Sequence, residues 1–380
     1  MDKKILFIGT IPNPANKYAN VFFQNLIFAM ADRGTECHVI SPVSITQYKD
    51  KIKLIPKETI ITTPNGAKVY VRHPRYVSTS AKKIGALNTG LCTKYFYERA
   101  VLNTVKKDNT YDAVYGHFFV SAGLSAIKVG RKLNIPSFVA YGECDWGSEV
   151  ERLYRNLKRK DIDGLRGIVS VSRKNTQELN SKGIFKDIPI FTCENAVDLS
   201  LFAERDKEEC REAFNMPKGK FIVGFVGGFI KRKGDKRLLK ACEGLDDVYL
   251  AFAGKGSEPP KGENVVFCDG IEHERIGEFL EAVDVFALPT LNEGCCNAVL
   301  EAMAAGKAIV SSDLPFNDNV LDKTNSIRIN PESIEEIRSA ILKLKEDAEL
   351  RKTLSEKAKD DSKNFTIEKR AEKIYNFMFG

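Results

Sequence analysis

Short apolar, β-branched segments alternate along the whole chain with segments in which apolar residues recur every three or four positions. The first pattern is typical of buried strands and the second of amphipathic helices. In the first half of the chain we predict a helix at 21–32 and strands at 4–9, 37–41, 111–115, 137–141, 168–172 and 190–193. This alternation indicates βαβ units with parallel sheets, so the fold class is α/β.

A charged, predicted helix at 204–213 and the Pro- and Gly-containing segment 216–219 separate this series from a second one. The second series has predicted strands at 221–226, 249–253 and 285–289 and a helix that begins at Asp235. We therefore expect two tandem Rossmann-like, doubly wound domains, 1–198 and 199–360. Residues 361–380 are predicted to form a C-terminal helix whose apolar residues need a partner.

The composition indicates a folded protein of the cytoplasm. Of the 380 residues, 43% are hydrophobic, and no apolar run approaches the ~20 residues of a bilayer-crossing helix. The apolar segment 5–8 is too short for a secretory signal. The nine cysteines show no CxxC spacing, which predicts neither a disulfide framework nor a cysteine metal site.

The net charge of +7 is unevenly distributed. Residues 1–200 carry 30 Lys and Arg against 18 Asp and Glu, a balance of +12, whereas the remaining residues have a balance of −5. Two groups of basic residues stand out, the first interleaved with tyrosines. They are Lys68, Arg72, Arg75, Lys82, Lys83 and Lys94, and then Arg152, Arg155, Lys158, Arg159 and Lys160. Such groups suit an anionic membrane, a phosphorylated lipid or RNA, or they form a solvated face.

The most informative stretch, 284–306, has the pattern of a strand, a tight loop and a helix. The strand ends at Pro289, Asn297 is expected to cap the helix, and Gly306 is expected to end it. Ligands of open parallel sheets bind just beyond the carboxyl ends of strands, which is where this loop lies. The loop is therefore a candidate ligand site.

The residues of this loop suit a nucleotide. Gly294 lets the backbone approach a ligand closely, and the N–H groups of Cys295, Cys296 and Asn297 lead into the helix, where they can bind hydroxyl or phosphate oxygens. Glu301 lies about one turn inside the helix and leans toward its N-terminus. A carboxylate accepts two hydrogen bonds at once, which suits a vicinal diol such as that of ribose.

A second candidate loop, 227–234, lies between the first strand and first helix of the second domain. It contains Gly228, Arg232 and Lys233. Cations on a glycine-bearing loop at a helix N-terminus can bind a diphosphate through both charge and amide donors. The alternative is a solvated basic turn.

These motifs together resemble a known family. Glu293-Gly294 follows a strand that ends in Leu-Pro-Thr, seven residues separate Glu293 from Glu301, and Glu-Ala-Met-Ala-Ala-Gly closes the helix. This resembles the Glu-x7-Glu signature of the GT-B retaining glycosyltransferases, in particular family 4. The resemblance covers essentially the whole chain, and it is strongest at 221–306 and weakest at 43–105.

The resemblance implies roles for individual residues. Glu293 would orient the donor sugar, Lys233 would bind the diphosphate, and His117, in Tyr-Gly-His-Phe after a strand, would contact the donor sugar. These three are the expected catalytic residues. Arg232 would assist Lys233. The family often has an arginine where this chain has Gly228, so that contact is either missing or supplied by Lys231 or Arg232.

Further positions follow from the same resemblance. Gly254, in Gly-Lys-Gly, belongs to the loop on the nucleotide side. Gly142 and Glu143, in Tyr-Gly-Glu-Cys-Asp, are expected to face the acceptor, although Tyr141 stands where the family has a histidine. The donor-binding set therefore comprises Gly228, Arg232, Lys233, Gly254, Gly294, Cys295, Cys296, Asn297 and Glu301.

The family implies two Rossmann-like domains with a cleft between them and a C-terminal helix that returns to the first. The implied activity is a retaining, metal-independent transfer of a sugar from a nucleotide sugar to a glycan or lipid-linked acceptor. Retention without a carboxylate nucleophile implies attack on the donor face that the leaving group departs from, with the leaving diphosphate as base. We expect no metal and no cofactor, no nucleic-acid partner, and an enzyme that is cytoplasmic or peripheral on the inner membrane face. UDP-sugars are favoured over GDP-sugars.

Other functions have weaker sequence support. No GxGxxG, Walker A or GxSxG motif is present, which disfavours nicotinamide, P-loop and hydrolase chemistry. Asp161-Ile162-Asp163 has DxD spacing but lies beside the basic residues at 158–160, away from the nucleotide loops. A sugar epimerase, a phosphorylase and a non-catalytic partner subunit of the same fold remain alternatives.

Overall fold

The computed structural model describes residues 3–17, 19–79, 83–84, 87–105, 110–147, 150 and 157–380. Arg152, Arg155 and Lys82 of the basic groups lie outside these residues. The chain forms two compact units, one of Met1–Glu194 with Ile367–Gly380 and the other of Asn195–Thr366. The expected boundaries at 198 and 360 thus lie within six residues of the observed ones.

The first unit is built on a largely parallel sheet. The strands of this unit are β1 (Lys4–Ile8), β2 (Glu36–Ile40), β3 (Val43–Ser44), β4 (Glu58–Thr62), β5 (Lys68–Arg72), β6 (Arg75–Tyr76), β7 (Lys83–Ile84), β8 (Leu87–Asn88), β9 (Ala113–Gly116), β10 (Ser137–Tyr141), β11 (Leu165–Ser170) and β12 (Ile190–Thr192). The main sheet has the order β12-β11-β10-β9-β1-β2-β5-β4, and only β4 runs antiparallel to its neighbour. Short ladders join β3 to β6 and β7 to β8.

Helices cover the faces of this sheet. They are α1 (Val21–Asp32), α2 (Ile45–Tyr48), α3 (Gly90–Thr104), α4 (Leu124–Leu133), α5 (Arg173–Ser181) and, at the C-terminus, α12 (Ile367–Phe379). Helix α1 buries apolar residues at helical spacing, including Phe23, Ile27 and Met30, because every third or fourth position is apolar. Helix α12 packs against α1, and its Phe377 ring contacts Phe138 and Phe191.

The second unit has a parallel sheet of its own. Its strands are β13 (Phe221–Val226), β14 (Val248–Ala253), β15 (Val265–Asp269), β16 (Val285–Leu288), β17 (Ala308–Ser312) and β18 (Ile327–Ile329). Its helices are α6 (Lys207–Ala213), α7 (Asp235–Ala241), α8 (Ile276–Ala282), α9 (Asn297–Ala304), α10 (Ile334–Glu346) and α11 (Ala348–Ser362). The strand order β15-β14-β13-β16-β17-β18 is that of the doubly wound dinucleotide-binding folds.

These findings confirm the predicted fold class, α/β with parallel sheets in two domains. The expected stop at Gly306 is also present, since Gly306 has φ +61° and its N–H binds the Met303 carbonyl while Lys307 N–H binds that of Ala302. This pair of bonds is the Schellman motif that terminates many helices.

Two local expectations differ from the structure. Asn297 is the first residue of α9 rather than its cap; Cys296 occupies the cap position without a side-chain hydrogen bond. The segment 361–380 is not one helix, because α11 continues to Ser362 and α12 begins at Ile367. At the break the Phe365 carbonyl accepts a hydrogen bond from Val197 N–H, which satisfies a backbone group that a continuous helix would have used itself.

Candidate active site

The second unit has its topological switch point between β13 and β16. These adjacent strands lead into connections that run to opposite sides of the sheet, so the loops after them, 227–234 and 289–296, flank a crevice at its carboxyl edge. Both loops contain the residues that the sequence singled out. The fold therefore brings the two candidate loops together.

A cluster of charges lies where these loops meet. The Glu293 Oε1 atom is 2.6 Å from Arg232 Nη1 and 2.7 Å from Lys233 Nζ, and it accepts a hydrogen bond from Thr290 Oγ1 at 2.9 Å. Glu293 is only 7% exposed. Arg232, Lys233 and Glu293 thus form one cluster with an excess of positive charge, in which the carboxylate orients both cations.

The charge of Lys233 is favoured by this arrangement. Burial lowers the pKa of the ammonium, but Cys296 and then the charge and hydrogen bond of Glu293 raise it, and the net direction is upward. Lys233 therefore stays protonated at physiological pH. A buried, charged ammonium beside a guanidinium is suited to a ligand that carries at least two negative charges.

The two loops are fixed to each other by hydrogen bonds to backbone carbonyls. Leu291 N–H binds the Arg232 carbonyl at 2.9 Å, and Arg237 Nη2 binds the Pro289 carbonyl at 2.7 Å. Gly234 has φ +86°, and a Cβ atom there would lie 2.4 Å from the Pro289 oxygen. Only glycine therefore allows this close approach of the two loops.

Glu301 lies one turn inside α9, as expected. Burial raises the pKa of its carboxyl, while His273 and Lys233 partly oppose that shift. The His273 Nδ1 atom is 3.9 Å from Glu301 Oε1. His273 did not emerge from the sequence analysis, because a lone histidine before a helix carries no motif.

The start of α9 has an unexpected partner in Asn195. Its side-chain amide donates to the Cys295 carbonyl at 3.0 Å and to Asn297 Oδ1 at 2.8 Å, and its N–H contacts Cys295 Sγ. The Asn297 side chain is thus used to hold Asn195 rather than to cap the helix. The Cys296 thiol is buried, which raises its pKa to about 11 and makes it unreactive.

The glycines of the donor-binding set differ in their surroundings. A Cβ on Gly254 would fall 1.9 Å from the Gly227 carbonyl oxygen, so the two backbones touch. A Cβ on Gly228 would have its nearest neighbour, the Lys255 oxygen, at 3.7 Å. Gly254 is therefore required by packing, whereas position 228 has room for a side chain. Gly294 is buried in the loop after β16.

A pocket of about 630 Å³ borders the same loops from the side of α7. Phe229, Lys231, Arg237 and Leu291 are among the residues that line it. Neither Glu293 nor Glu301 belongs to its lining, so it adjoins the charged cluster without containing it.

In the first unit, the corresponding switch point lies between β1 and β9, and His117 follows β9 directly. Its ring stacks on Phe23 with a centroid distance of 4.1 Å and also contacts Phe22 and Phe118. Burial, with a smaller contribution from the positive charge of Arg370, lowers the pKa of His117 to about 3. The imidazole is therefore neutral, and its two ring nitrogens can donate one hydrogen bond and accept another, for example with a sugar hydroxyl.

Gly142 and Glu143, expected to face an acceptor, have other surroundings. Glu143 is 3% exposed, and its carboxylate accepts hydrogen bonds from the N–H groups of Phe119, Val120 and Gly142. A Cβ on Gly142 would lie 3.3 Å from the Phe118 ring. Both residues therefore shape the loop after β9, and backbone amides occupy the Glu143 carboxylate.

Among the described residues, no group of three or more His, Cys, Asp and Glu side chains could hold a metal ion. In the same residues, no helix is long and apolar enough to cross a membrane. Positive charge at the candidate site comes from Arg232 and Lys233.

Residues 206–361 match the profile of the family Glycosyl transferases group 1. A curated relative, the putative teichuronic acid biosynthesis glycosyltransferase TuaC of Bacillus subtilis, is 26% identical over 255 residues, which is 64% of each chain. The phosphatidyl-myo-inositol mannosyltransferase of Mycolicibacterium smegmatis is 24% identical over 339 residues, 84% of this chain and 82% of its own. The chain thus spans 64% of the first relative's length, less than two thirds of it, and 82% of the second's.

Solved structures of similar fold cover nearly the whole chain. Sucrose-phosphate synthase from Thermosynechococcus elongatus aligns over 99% of this chain and 98% of its own, with a TM-score of 0.77 and 17% identity. Anabaena HepE in complex with UDP-glucose aligns over 99% of both chains, with a TM-score of 0.70 and 16% identity. These neighbours share the GT-B architecture.

Two Rossmann-like units, with the charged crevice at the switch point of the second, define a GT-B fold. The profile match and the relatives agree with this class. Residues 206–361 thus resemble the group 1 glycosyltransferases, and the chain as a whole has the GT-B fold.

Proposed function

We propose that this protein is a retaining, metal-independent glycosyltransferase that moves a sugar from a nucleotide sugar to a glycan or lipid-linked acceptor in polysaccharide or glycolipid synthesis. The observation that carries the proposal is the cluster of Arg232, Lys233 and Glu293, together with Glu301, at the carboxyl edge of the second sheet. TuaC and the mannosyltransferase are named for such syntheses.

The donor binds with its diphosphate at Arg232 and Lys233. Glu301, on the helix that follows, accepts hydrogen bonds from the ribose diol, and Glu293 orients the sugar while it holds the two cations. His117 of the first unit donates or accepts one hydrogen bond at a sugar hydroxyl as a neutral imidazole.

Transfer requires a bond between the acceptor oxygen and the anomeric carbon as the bond from that carbon to the diphosphate oxygen breaks. The acceptor proton passes to the departing diphosphate, whose growing negative charge is stabilised by Lys233 and Arg232. Because these two cations supply the charge that a divalent metal supplies elsewhere, the proposal needs no metal. Attack and departure on one face of the sugar retain its configuration.

A UDP-sugar is the favoured donor. Support comes from the HepE complex with UDP-glucose, which shares the fold over nearly all of its length. A GDP-sugar is the alternative, and the GDP-mannose-dependent α-mannosyltransferase of Mycolicibacterium smegmatis is 31% identical over 121 residues.

Release of nucleoside diphosphate from a panel of UDP-, GDP- and ADP-sugars tests the proposal. We expect turnover with one donor that is unchanged by EDTA, and a product whose anomeric proton shows retention by NMR. Lys233→Ala should reduce turnover by about 10²- to 10³-fold, as removal of an oxyanion donor does. Lys236→Ala, which removes an exposed cation three residues away, is the control. If no donor turns over and no nucleotide raises the melting temperature, the proposal is wrong.

The acceptor is proposed to reach the first unit from an anionic membrane. Helix α3 exposes Leu91, Tyr95 and Phe96, which are 46%, 54% and 39% exposed, beside the exposed Arg99. The exposed basic residues 158–160 belong to the same face, because Lys128 of α4 pairs with Glu98 of α3 and Arg131 of α4 binds the Asp161 carbonyl. Basic and aromatic side chains together suit an anionic bilayer surface.

Flotation with vesicles tests this part of the proposal. The protein should float with vesicles that contain an anionic lipid and stay behind with neutral ones. The double variant Tyr95→Ser, Phe96→Ser should float less, whereas Ile60→Ser, which removes a 56% exposed apolar residue from β4, should float like the parent. Equal flotation with both vesicle types would contradict the proposal.

A further inference from the structure

The backbone after His117 is strained. Phe118 has φ +70° and ψ 146°, and Ser121 has φ +60° and ψ −65°. Neither residue is glycine, and bulky residues rarely adopt such angles, which cost about 1–3 kcal/mol each. We call residues 117–121 the His117 turn. Strain of this size persists only where the surroundings hold the backbone in place.

The carboxylate of Glu143 provides that restraint. Its Oε1 atom accepts from Phe119 N–H at 2.6 Å and from Val120 N–H at 3.1 Å, and its Oε2 atom accepts from Gly142 N–H at 3.1 Å. Hydrogen bonds to an ionised carboxylate are shorter and about twice as strong as neutral ones. Glu143 thus binds two amides between the two strained residues.

Packing leaves the turn little freedom to relax in another way. A Cβ on Gly116 would lie 2.6 Å from Gly123 Cα, and one on Gly123 would lie 2.5 Å from Val139. The chain therefore folds back tightly over the ends of β9 and β10. Gly142 leaves room for the Phe118 ring, which also contacts His117.

Glu143 is itself anchored from behind. Asn175 Nδ2 donates to the Glu143 carbonyl at 2.9 Å, and the Asn175 N–H binds Ser172 Oγ at the start of α5. Asn175 is fully buried. The carboxylate thus connects the His117 turn to the rigid end of β10 and to α5.

We propose that Glu143 is a positioning residue, which holds the strained His117 turn and thereby fixes the position of the imidazole. This rests on the proposed function for its catalytic consequence. It differs from an acceptor contact, because Glu143 acts through the backbone of the turn and touches no substrate.

Two substitutions test separately the charge of the Glu143 carboxylate and the length of its side chain. In Glu143→Gln, an NH₂ group replaces one carboxylate oxygen. This donor then faces another donor, which is either the Gly142 N–H or the Phe119 and Val120 N–H groups. In Glu143→Asp, the charge remains but the shorter side chain cannot reach the Phe119 and Val120 amides. We expect both to lower kcat roughly 10- to 100-fold, as misplacement of a catalytic group by about 1 Å does, with little change in KM for the nucleotide sugar.

Glu178→Gln is the matched control. Glu178 is also a carboxylate of the first unit that accepts bonds from a hydroxyl and an amide, those of Tyr141 and Trp146, at 2.6 and 2.9 Å. Glu178→Gln should lower the free energy of unfolding but leave kcat unchanged. Equal losses of kcat in Glu178→Gln and Glu143→Gln would overturn the proposal.

A measurement without substrate separates this proposal from the proposed function. The chain has four histidines, and His117 is assigned by comparison with His117→Gln. Its ring should stay neutral below pH 5 in the parent by NMR, and in Glu143→Gln its pKa should rise toward the ordinary ~6.5 as the turn opens to water. An unchanged titration would overturn the positioning role. A changed titration in a protein without transferase activity would uphold it and contradict only the proposed function.

A second substitution that relieves the backbone strain at Ser121 tests the proposal by rescue. It remains informative if Glu143→Gln alone folds poorly. Glycine adopts positive φ without strain, so Ser121→Gly should reduce the need for the restraint. The double variant Ser121→Gly, Glu143→Gln should regain part of the lost melting temperature and kcat. Absence of any rescue would contradict the role of strain in the proposal.

Discussion

Glu293 and Glu301 have the same side chain and lie on the same loop and helix, but their surroundings give them different chemistry. Glu293 is paired with two cations, which keep its charge neutralised by direct contact. Glu301 is partly buried with its closest basic atom, His273 Nδ1, at 3.9 Å, and this burial raises its pKa. Protonation of Glu301 therefore begins at a higher pH than that of an ordinary glutamate.

This difference predicts a pH dependence of nucleotide binding. A carboxylate accepts two hydrogen bonds from the ribose diol, but a carboxylic acid accepts fewer, so affinity should fall as the pH drops through the raised pKa of Glu301. Glu301→Gln should bind roughly 10- to 100-fold more weakly at pH 7.5, the loss expected for hydrogen bonds to a charged group, and its affinity should fall less steeply as the pH drops. Calorimetric titration with the nucleoside diphosphate between pH 5 and 8 measures both effects.

A nucleotide that lacks the ribose diol is the control for this prediction. A 2′,3′-dideoxy nucleoside diphosphate should lose less affinity than the parent nucleotide as the pH falls, since only the protonation of its own terminal phosphate, with a pKa of about 6, then acts. A fall in its affinity as steep as that of the parent nucleotide would assign the pH dependence to another group.

At the scale of elements, the candidate site depends on how closely the loops after β13 and β16 approach each other. Gly234 lies at the start of α7 with φ +86°, and a Cβ there would meet the Pro289 oxygen. Gly234→Ala should cost about 1–3 kcal/mol of unfolding free energy and raise KM for the donor, because Arg232 and Lys233 would move with the loop. Gly244→Ala is the matched control, since Gly244 has φ +66° but no atom within 4 Å of the added Cβ.

Thermal unfolding and donor kinetics on the two variants check this prediction. Gly244→Ala should lose about 1 kcal/mol and keep its kinetics. If Gly234→Ala behaves in the same way, the close approach of the two loops is not needed for donor binding.

The same scale shows what the sequence could and could not predict. Strands β10 and β13 and helix α1 match the predicted bounds, because runs of apolar residues and helical spacing are local signals. Glu293 with Lys233 was predictable from motifs, but the ion pair between them depends on strand order. The contacts of Glu143 could not be predicted from the sequence, because its partners, the Phe119 and Val120 amides, are 23 or more residues away and carry no side-chain signal.

At the scale of the whole molecule, the chain leaves the first unit at Glu194 and returns to it at Ile367. Sequence patterning predicted that the last helix needs an apolar partner, and the structure supplies it in α1 and in the rings around Phe377. Each unit has a core of its own, so a cavity in one core should destabilise that unit first.

A matched pair of substitutions tests this independence. Ile374 of α12 and Ile341 of α10 are both fully buried, the first in the N-terminal unit and the second in the C-terminal unit. Replacing either by Ala should cost about 2–5 kcal/mol in the unit that contains it. Hydrogen exchange should therefore rise in β1 and β9 for Ile374→Ala and in β13 and β16 for Ile341→Ala. Nucleotide binding, measured at a temperature where the destabilised unit begins to unfold, should weaken only in the second, since the residues proposed to bind phosphate and ribose all belong to the C-terminal unit. If Ile374→Ala instead raises exchange equally in β13 and β16, the two units unfold as one, and the C-terminal helix stabilises the whole enzyme rather than the unit it packs against.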